Sequence, residues 1–196
     1  MSGARIGADL ESVVVEHRPL TRSEAHLVVE EIRSSTTITG YSLEEWCGRR
    51  ETFVALDRRS GDVVGAALVH AFLGGWSEVA VLFVRETHRG RGIGPRLLSE
   101  IIEQLHGRRL LLFFCEDTMR RMVLRHGFTV HRTPHDLPGR PLLRRLFLSV
   151  LYPLQWKADS YRRREIRRKR ARYGCSFDFT LSSLTSSDQR PRKDFS

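Results

Sequence analysis

The chain has 196 residues and a formal net charge of +10, from 33 basic and 23 acidic side chains. This length suits one well-packed core and is too short for two ordinary domains. The first residues lack the apolar stretch of a signal peptide, and no apolar run is long enough to cross a bilayer, so neither secretion nor a transmembrane segment is predicted. Three scattered cysteines without a CxxC pair favour reduced thiols in a cytoplasmic protein. His131 and His135 are separated by Pro134 and accompanied by no cysteine pair, so no metal site is predicted.

The excess positive charge lies at the C-terminal end of the chain. Residues 1–137 contain 18 basic and 18 acidic side chains, whereas residues 138–196 contain 15 basic and 5 acidic ones. The high isoelectric point therefore describes a C-terminal segment rather than the core. The sequence predicts a core domain over residues 1–137, a basic helical extension over residues 138–181 and a disordered tail over residues 182–196.

The first elements predicted along the chain are a strand and two helices. Residues 12–16 form a short apolar run with three valines, which is typical of a strand. Thr21 is followed three residues later by Glu24, and Ser42 is followed in the same way by Glu45. Both pairs are capping-box signatures, and each predicts the first turn of a helix.

Three strands are predicted next. The apolar runs at residues 52–56 and 62–71 predict a hairpin, because Gly61 between them can supply the turn. The third run, at residues 79–84, is almost continuously apolar and suits a strand that is buried on both faces.

A glycine-rich turn leads from this third strand into a helix. Apolar residues recur at helical spacing from Ile93 to Leu105, and Pro95 lies in the first turn, where its missing N–H costs nothing. The turn itself reads Arg89-Gly90-Arg91-Gly92-Ile93-Gly94. Its glycines let the backbone approach a ligand closely, while the helix N–H groups, the helix dipole and two arginines attract negative charge. The turn therefore predicts a site for a pyrophosphate; a flexible surface turn is the alternative.

Strand, turn and helix together resemble the acetyl-CoA-binding motif of the GNAT N-acetyltransferases. Arg89 opens an R/Q-x-x-G-x-G/A pattern after a strand that ends Leu82-Phe83-Val84. The spacing fits neither a Walker loop nor a dinucleotide fingerprint. Residues 115–128 resemble the later strand end, helix and Gly-Phe turn of the same superfamily, particularly in its histone-acetyltransferase branch. The resemblance extends over about residues 12–132.

The resemblance implies an α/β fold with a mixed, mostly antiparallel sheet flanked by helices. Its parallel central pair, here residues 79–84 and 110–114, would splay apart around acetyl-CoA. In the family the pantetheine arm pairs with the backbone of the first of these strands, here residues 82–84, and the pyrophosphate lies on the turn from Arg89 to Gly94. The implied reaction moves an acetyl group from the acetyl-CoA thioester to a primary amine by direct attack.

A lysine-like amine has a pKa near 10.4, so its deprotonation at neutral pH costs on the order of 4 kcal/mol. Counted back from Arg91, Glu78 occupies the register at which the histone-acetyltransferase branch carries its glutamate base. A glutamate that merely ends a strand in solvent is the alternative. The tyrosine that protonates the leaving thiolate in many members is replaced by Val123, which cannot donate a proton. Water, His126 or Cys115 would have to replace it.

The C-terminal segment lies outside the resemblance. Apolar residues at helical spacing between Pro141 and Pro153 predict a helix that covers the sheet, lies on a membrane surface or binds a partner. The run from Arg162 to Arg172 has eight basic residues in eleven. It is typical either of an ordinary solvated helix or of a surface that binds a polyanion, such as nucleic acid or an anionic membrane. Residues 175–181 predict a returning strand.

Two classes of function remain open at this point. The first is an acetyl-CoA-dependent N-acetyltransferase, which is favoured because a pyrophosphate turn and a candidate base are both present. The second is a non-catalytic acyl-CoA-binding or nucleic-acid-binding protein on the same fold, suggested by Val123 and the basic segment. The sequence does not choose among a metabolite amine, a protein lysine and an N-terminal amine as the acceptor.

Overall fold

The computed structural model describes residues 12–72, 75–115, 117–133, 136–137, 160–174 and 180–185. Within this part of the chain, seven strands form one sheet in the order β1-β2-β3-β4-β5-β7-β6. The strands are β1 (Val13–His17), β2 (Thr52–Asp57), β3 (Val63–Ala71), β4 (Trp76–Val84), β5 (Arg109–Phe114), β6 (Thr129–His131) and β7 (Thr180–Leu184). The α-helices are α1 (Arg22–Ser34), α2 (Leu43–Gly48), α3 (Ile93–Gln104), α4 (Asp117–Arg125) and α5 (Ser160–Tyr173). None of these helices is long and apolar enough to span a bilayer.

The sheet is mixed, as predicted. Only the central pair, β4 and β5, is parallel, and every other neighbouring pair is antiparallel. Helix α3 makes the crossover between the two parallel strands, which an antiparallel hairpin would not need. The predicted fold class is therefore confirmed.

Both predicted capping boxes are present at the helix starts. The Thr21 hydroxyl accepts the Glu24 N–H at 3.4 Å, and the Glu24 carboxylate accepts the Thr21 N–H at 2.7 Å. Arg18 also donates to this carboxylate at 2.8 Å and is the main cause that lowers the pKa of Glu24 to about 2. Ser42 and Glu45 make the same reciprocal arrangement at the start of α2. These bonds satisfy backbone N–H groups that a helix leaves without an internal partner.

Each face of the sheet has its own core. Helices α3 and α4 cover one face with apolar side chains, among them Ile93, Leu97, Leu98, Ile101 and Val123. Helices α1 and α2 cover the opposite face, among them with Val28, Ile32 and Trp46. The strands between them are buried on both sides, which explains why residues 79–84 read as a continuous apolar run.

Strand β7 corrects the predicted C-terminal boundaries. It spans Thr180–Leu184 and pairs with both β5 and β6, so three of its residues belong to the predicted disordered tail. Two serines of the predicted tail make side-chain contacts within the sheet. Ser182 Oγ donates to the Leu112 carbonyl at 3.0 Å, and Ser183 Oγ lies 2.7 Å from His131 Nε2. The sheet therefore uses residues on both sides of position 137, while the predicted helix between Pro141 and Pro153 lies outside the described residues.

Helix α5 buries charged side chains on one face. Arg162, Glu165 and Lys169 are all buried. The Lys169 ammonium donates at 2.6 to 2.7 Å to three carbonyl oxygens at the end of α1 and in the following loop, those of Ile32, Ser35 and Ile38. The predicted polyanion surface from Arg162 to Arg172 is therefore wrong for Arg162 and Lys169. The exposed arginines of the helix are Arg163, Arg164, Arg167, Arg170 and Arg172.

Candidate active site

The two parallel strands separate halfway along their length. Residues 76–79 of β4 pair with residues 109–112 of β5, and no pairing between the two strands follows in the described chain. On the other side of β4, Leu68 pairs with Val81 and Val69 with Val79, which leaves Ala80 as an extra residue. Such a bulge bends the strand that carries it. Strand β4 diverges from β5 at this bulge, as the resemblance predicted.

A cavity of about 1110 Å³, here called the central groove, fills the space between the separated strands. Its walls are residues 79–82 and 84 of β4, residues 112–115 at the end of β5, and residues 37–39 of the α1–α2 loop (residues 35–42). The start of α3 and one side of α4 complete it. Most of its lining is apolar, with cationic groups at the end where α3 begins, which suits a long ligand with a charged end.

The glycine-rich turn has a conformation that suits anion binding. Gly90 and Gly92 have φ values of +79° and +83°, a backbone region that other residues rarely adopt. Gly92 is the N-cap of α3 and provides no side chain, so the N–H groups of the first helical turn face the groove directly. The Arg89 side chain donates to the Val84 carbonyl at 3.3 Å, which holds its guanidinium between the strand and the turn.

The groove brings together most of the residues predicted to hold acetyl-CoA. Its lining includes Leu82, Val84, Arg89, Gly90, Gly92, Ile93 and Gly94. Two predicted residues are not part of it. Arg91 is exposed at the tip of the turn. The Phe83 side chain packs into the core under α1, because alternate residues of a strand face opposite sides of the sheet.

Glu78 is buried on β4, with 4% of its surface exposed. Its neighbours in the sheet are His70 on β3 and Leu111 on β5, so it does not end a strand in solvent. Val79, the next residue along β4, lines the central groove. Glu78 therefore lies beside the point where β4 and β5 begin to separate.

At the position where many family members have the proton-donating tyrosine, helix α4 has Val123, which cannot donate a proton. Val123 is completely buried in the core, whereas Met119 and Met122 line the groove. His126 lies 3.1 Å from the Pro95 carbonyl, so it sits at the turn end of the groove. Cys115 also lines the groove, and its thiol donates to the Thr37 carbonyl at 3.6 Å. The two side chains considered as replacement acids therefore lie at different ends of the groove. Cys115 directly follows β5, whereas His126 directly follows α4 and lies beside the first turn of α3.

Sequence reasoning missed the α1–α2 loop as a groove wall and His70 as the neighbour of Glu78. Residues 37–39 are short and polar and carry no motif. The β3–β4 hairpin was predictable, but its register at His70 depends on the bulge at Ala80, which no residue pattern indicates. The loop could have been suspected only from its position between two capped helices.

The model of the acetyltransferase (GNAT) family matches residues 22–128, which is just over half of the chain. The chain belongs to the GNAT family. Its glycine-rich turn, bulged β4 and divided strand pair all lie within the matched residues. A search of curated proteins found no significant match to this GNAT chain.

Solved structures share the fold at low sequence identity. The Mycobacterium tuberculosis protein Rv2747, in complex with CoA and NLQ, has a TM-score of 0.58 and 17% identity over 88% of this chain and 98% of its own. The ribosomal-protein-S18-alanine N-acetyltransferase of Escherichia coli has a TM-score of 0.55 and 14% identity, over 88% and 92% of the two chains.

A third similar structure belongs to a longer protein. N-acetylglutamate synthase from Neisseria gonorrhoeae, complexed with coenzyme A and N-acetyl-glutamate, has a TM-score of 0.57 and 16% identity. The match covers 87% of the GNAT chain and 34% of the synthase, so this chain spans about a third of that protein. The particular likeness to the histone-acetyltransferase branch stays a prediction.

Proposed function

We propose that this GNAT protein is an N-acetyltransferase that moves the acetyl group of acetyl-CoA directly to a primary amine. The observation that carries the proposal is the central groove, which runs from the anion-binding turn at Gly90 and Gly92 to the bulge beside buried Glu78. Two of the similar structures contain coenzyme A, which supports acetyl-CoA as the co-substrate.

The backbone on either side of the bulge has a separate task in binding. The first N–H groups of α3 would hold the pyrophosphate, with Arg89 contributing positive charge. Beyond Val79, the edge of β4 that faces β5 is not paired with it in the described chain. Its N–H and C=O groups are therefore available to the amides of the pantetheine arm, and this main-chain pairing would align the thioester beside the bulge.

The chemistry needs a neutral amine. Glu78 accepts a proton from the acceptor ammonium, and the amine nitrogen then attacks the thioester carbon, forming the C–N bond. Backbone N–H groups of β4 near the bulge stabilise the oxyanion of the tetrahedral intermediate. The intermediate collapses by breaking the C–S bond. The attacking nitrogen still carries one proton more than the amide product, and a water can pass that proton to the leaving thiolate. With a pKa near 8.5, the thiolate accepts it without the tyrosine that Val123 replaces.

The variant Glu78→Gln tests the base. It keeps the shape of the side chain but cannot accept the proton, so kcat should fall by about 10² to 10⁴ while acetyl-CoA affinity stays within a few-fold. The two rates should converge as pH approaches the pKa of the amine, because more of the acceptor then arrives neutral. The exposed Glu103 offers a matched control, since Glu103→Gln should change neither quantity.

Two outcomes would contradict the proposal at different points. An unchanged kcat at neutral pH in Glu78→Gln would remove Glu78 from the mechanism. A wild-type protein that binds acetyl-CoA in calorimetry but acetylates no member of a broad panel of amines would favour the non-catalytic alternative.

A further inference from the structure

A row of buried polar side chains crosses the α1–α2 face of the sheet beside Glu78. His70 is the direct cross-strand neighbour of Glu78. The Tyr41 ring stands edge-on to the His70 ring at 5.4 Å, and the Arg162 guanidinium lies over the Tyr41 ring at 4.0 Å. Their exposed fractions are 1% for Tyr41, 3% for His70, 4% for Glu78 and 3% for Arg162. These four residues are called the buried polar cluster below.

The middle of this cluster has unused hydrogen-bonding capacity. Among the described residues, neither the Tyr41 hydroxyl nor either ring nitrogen of His70 has a hydrogen-bond partner. Buried polar atoms without partners are exceptions in folded proteins, and each calls for an explanation such as a bound ligand. Burial lowers the pKa of His70 to about 4, so at neutral pH its ring is uncharged and offers one N–H donor and one acceptor.

The two ends of the cluster have opposite charges. Glu78 supplies a carboxylate at one end, and Arg162 supplies a guanidinium at the other, where burial lowers its pKa to about 9. Between them the Tyr41 O–H and the His70 N–H are donors suited to a carboxylate oxygen. A ligand that matches this order has an ammonium group near Glu78 and a carboxylate that reaches Tyr41 and Arg162.

The cluster is close along the chain to two residues of the central groove. Val79 and Thr39 line the groove, Glu78 is next to Val79, and Tyr41 is two residues after Thr39. We propose that the buried polar cluster binds the acceptor, and that the acceptor is a small zwitterion of the amino-acid class, with a carboxylate close to its amine. This inference rests on the proposed function, since it specifies the amine of that reaction.

Paired substrates test the carboxylate requirement in the full-length protein. Each L-amino acid is compared with the amine left after removal of its carboxylate: lysine with cadaverine, ornithine with putrescine, leucine with 3-methylbutylamine and phenylalanine with 2-phenylethylamine. A site built to hydrogen-bond a substrate group rejects the analogue that lacks it, so at least one amino acid should exceed its partner by about 10²-fold or more in kcat/KM. Equal or better rates for the decarboxylated amines, or acetylation of peptide amines alone, would overturn the proposal.

Two conservative variants locate the recognition. Tyr41→Phe removes only a hydroxyl without a partner among the described residues, so Tm should stay unchanged or rise while KM for the preferred amino acid increases. Arg162→Met should reduce the preference for the carboxylate-bearing substrate by about tenfold or more. Tyr173→Phe and Arg163→Met, on the same helix and away from the cluster, are the matched controls. Full retention of the preference in both cluster variants would contradict the assignment.

A binding measurement separates this inference from the proposed function. If no amine is acetylated, calorimetry on the CoA-saturated protein with the same eight compounds still tests the cluster. Binding of an amino acid that Tyr41→Phe weakens, with no binding of its decarboxylated partner, would support the site without the reaction. Absence of binding by every amino acid at millimolar concentration would overturn it.

Discussion

Lys169→Met is the most informative change outside the groove. The ammonium group is fully buried and donates to the carbonyls of Ile32, Ser35 and Ile38. Its removal withdraws three charge-assisted hydrogen bonds, worth about 1.5–3 kcal/mol each, but also relieves a desolvation penalty of several kcal/mol. The net change is the difference between these two contributions, and we expect a loss of about 3 kcal/mol, near the lower end for breaking a buried ionic arrangement.

Thermal unfolding measures this loss. For a chain of this size, 1 kcal/mol shifts Tm by about 2–4 °C, so Lys169→Met should lower Tm by about 6–12 °C. The neighbouring Arg170 is exposed, and Arg170→Met should leave Tm almost unchanged. The affinity for acetyl-CoA should also fall, because residues 37–39 of the groove wall lie within the loop that Lys169 holds. A Lys169→Met protein with wild-type Tm would refute this account of the buried charge.

Three further predictions follow from the turn, the cluster and the outer face of α5. Gly92→Asp should abolish acetyl-CoA binding in calorimetry, because it strains a backbone at φ +83° and places a carboxylate where phosphate oxygens approach. The control Gly48→Asp should bind acetyl-CoA normally, because a side chain at Gly48 would meet no neighbouring atom within 4 Å. His70 has a pKa near 6.5 when unfolded and about 4 when folded, so the unfolded state binds the extra proton and stability should fall as pH drops from 6.5 to 4, by up to about 3 kcal/mol. In urea unfolding, His70→Leu should flatten that slope, and an equal slope in both proteins would contradict the assignment. The third prediction concerns the exposed face of α5, where Arg163, Arg167 and Arg170 are changed together to alanine. If this face binds nucleic acid or anionic vesicles, the triple variant should bind them more weakly and with less dependence on salt concentration. Its affinity for acetyl-CoA should be unchanged. A wild-type protein that binds neither at physiological salt would leave that face a structural surface.

The elements that sequence predicted well depend on neighbours along the chain. The change of period at the glycine-rich turn, with Pro95 in the first helical turn, places α3 at Ile93–Gln104. The capping boxes at Thr21 and Ser42 place the starts of α1 and α2. In each case the hydrogen bonds that stabilise the element join residues a few positions apart, so the local pattern contains the information.

The features that sequence did not predict depend on distant partners. Strand β7 is stabilised by pairing with β5, about 70 positions earlier, as between Ser182 and Leu112. The carbonyls that hold Lys169 lie more than 130 positions before it. Helical spacing places Arg162, Glu165 and Lys169 on one face, but nothing in a run of arginines shows that this face is the buried one.

Helix α5 and β7 connect the C-terminal segment to the elements that form the central groove. Without β7, the edge of β5 opposite β4 would lose its pairing, and β6 would lose its neighbour in the sheet. Without α5, the carbonyls at the end of α1 would lose their donor, and the buried polar cluster would lose its cation. The positive charge of α5 therefore has two separate placements. Arg162 and Lys169 are directed inward, where Lys169 holds the α1–α2 loop and Arg162 belongs to the buried polar cluster, whereas the exposed arginines of the helix face outward. Counting the charges of the sequence cannot distinguish buried from exposed basic residues, because which face of the helix a residue lies on decides whether its side chain is buried.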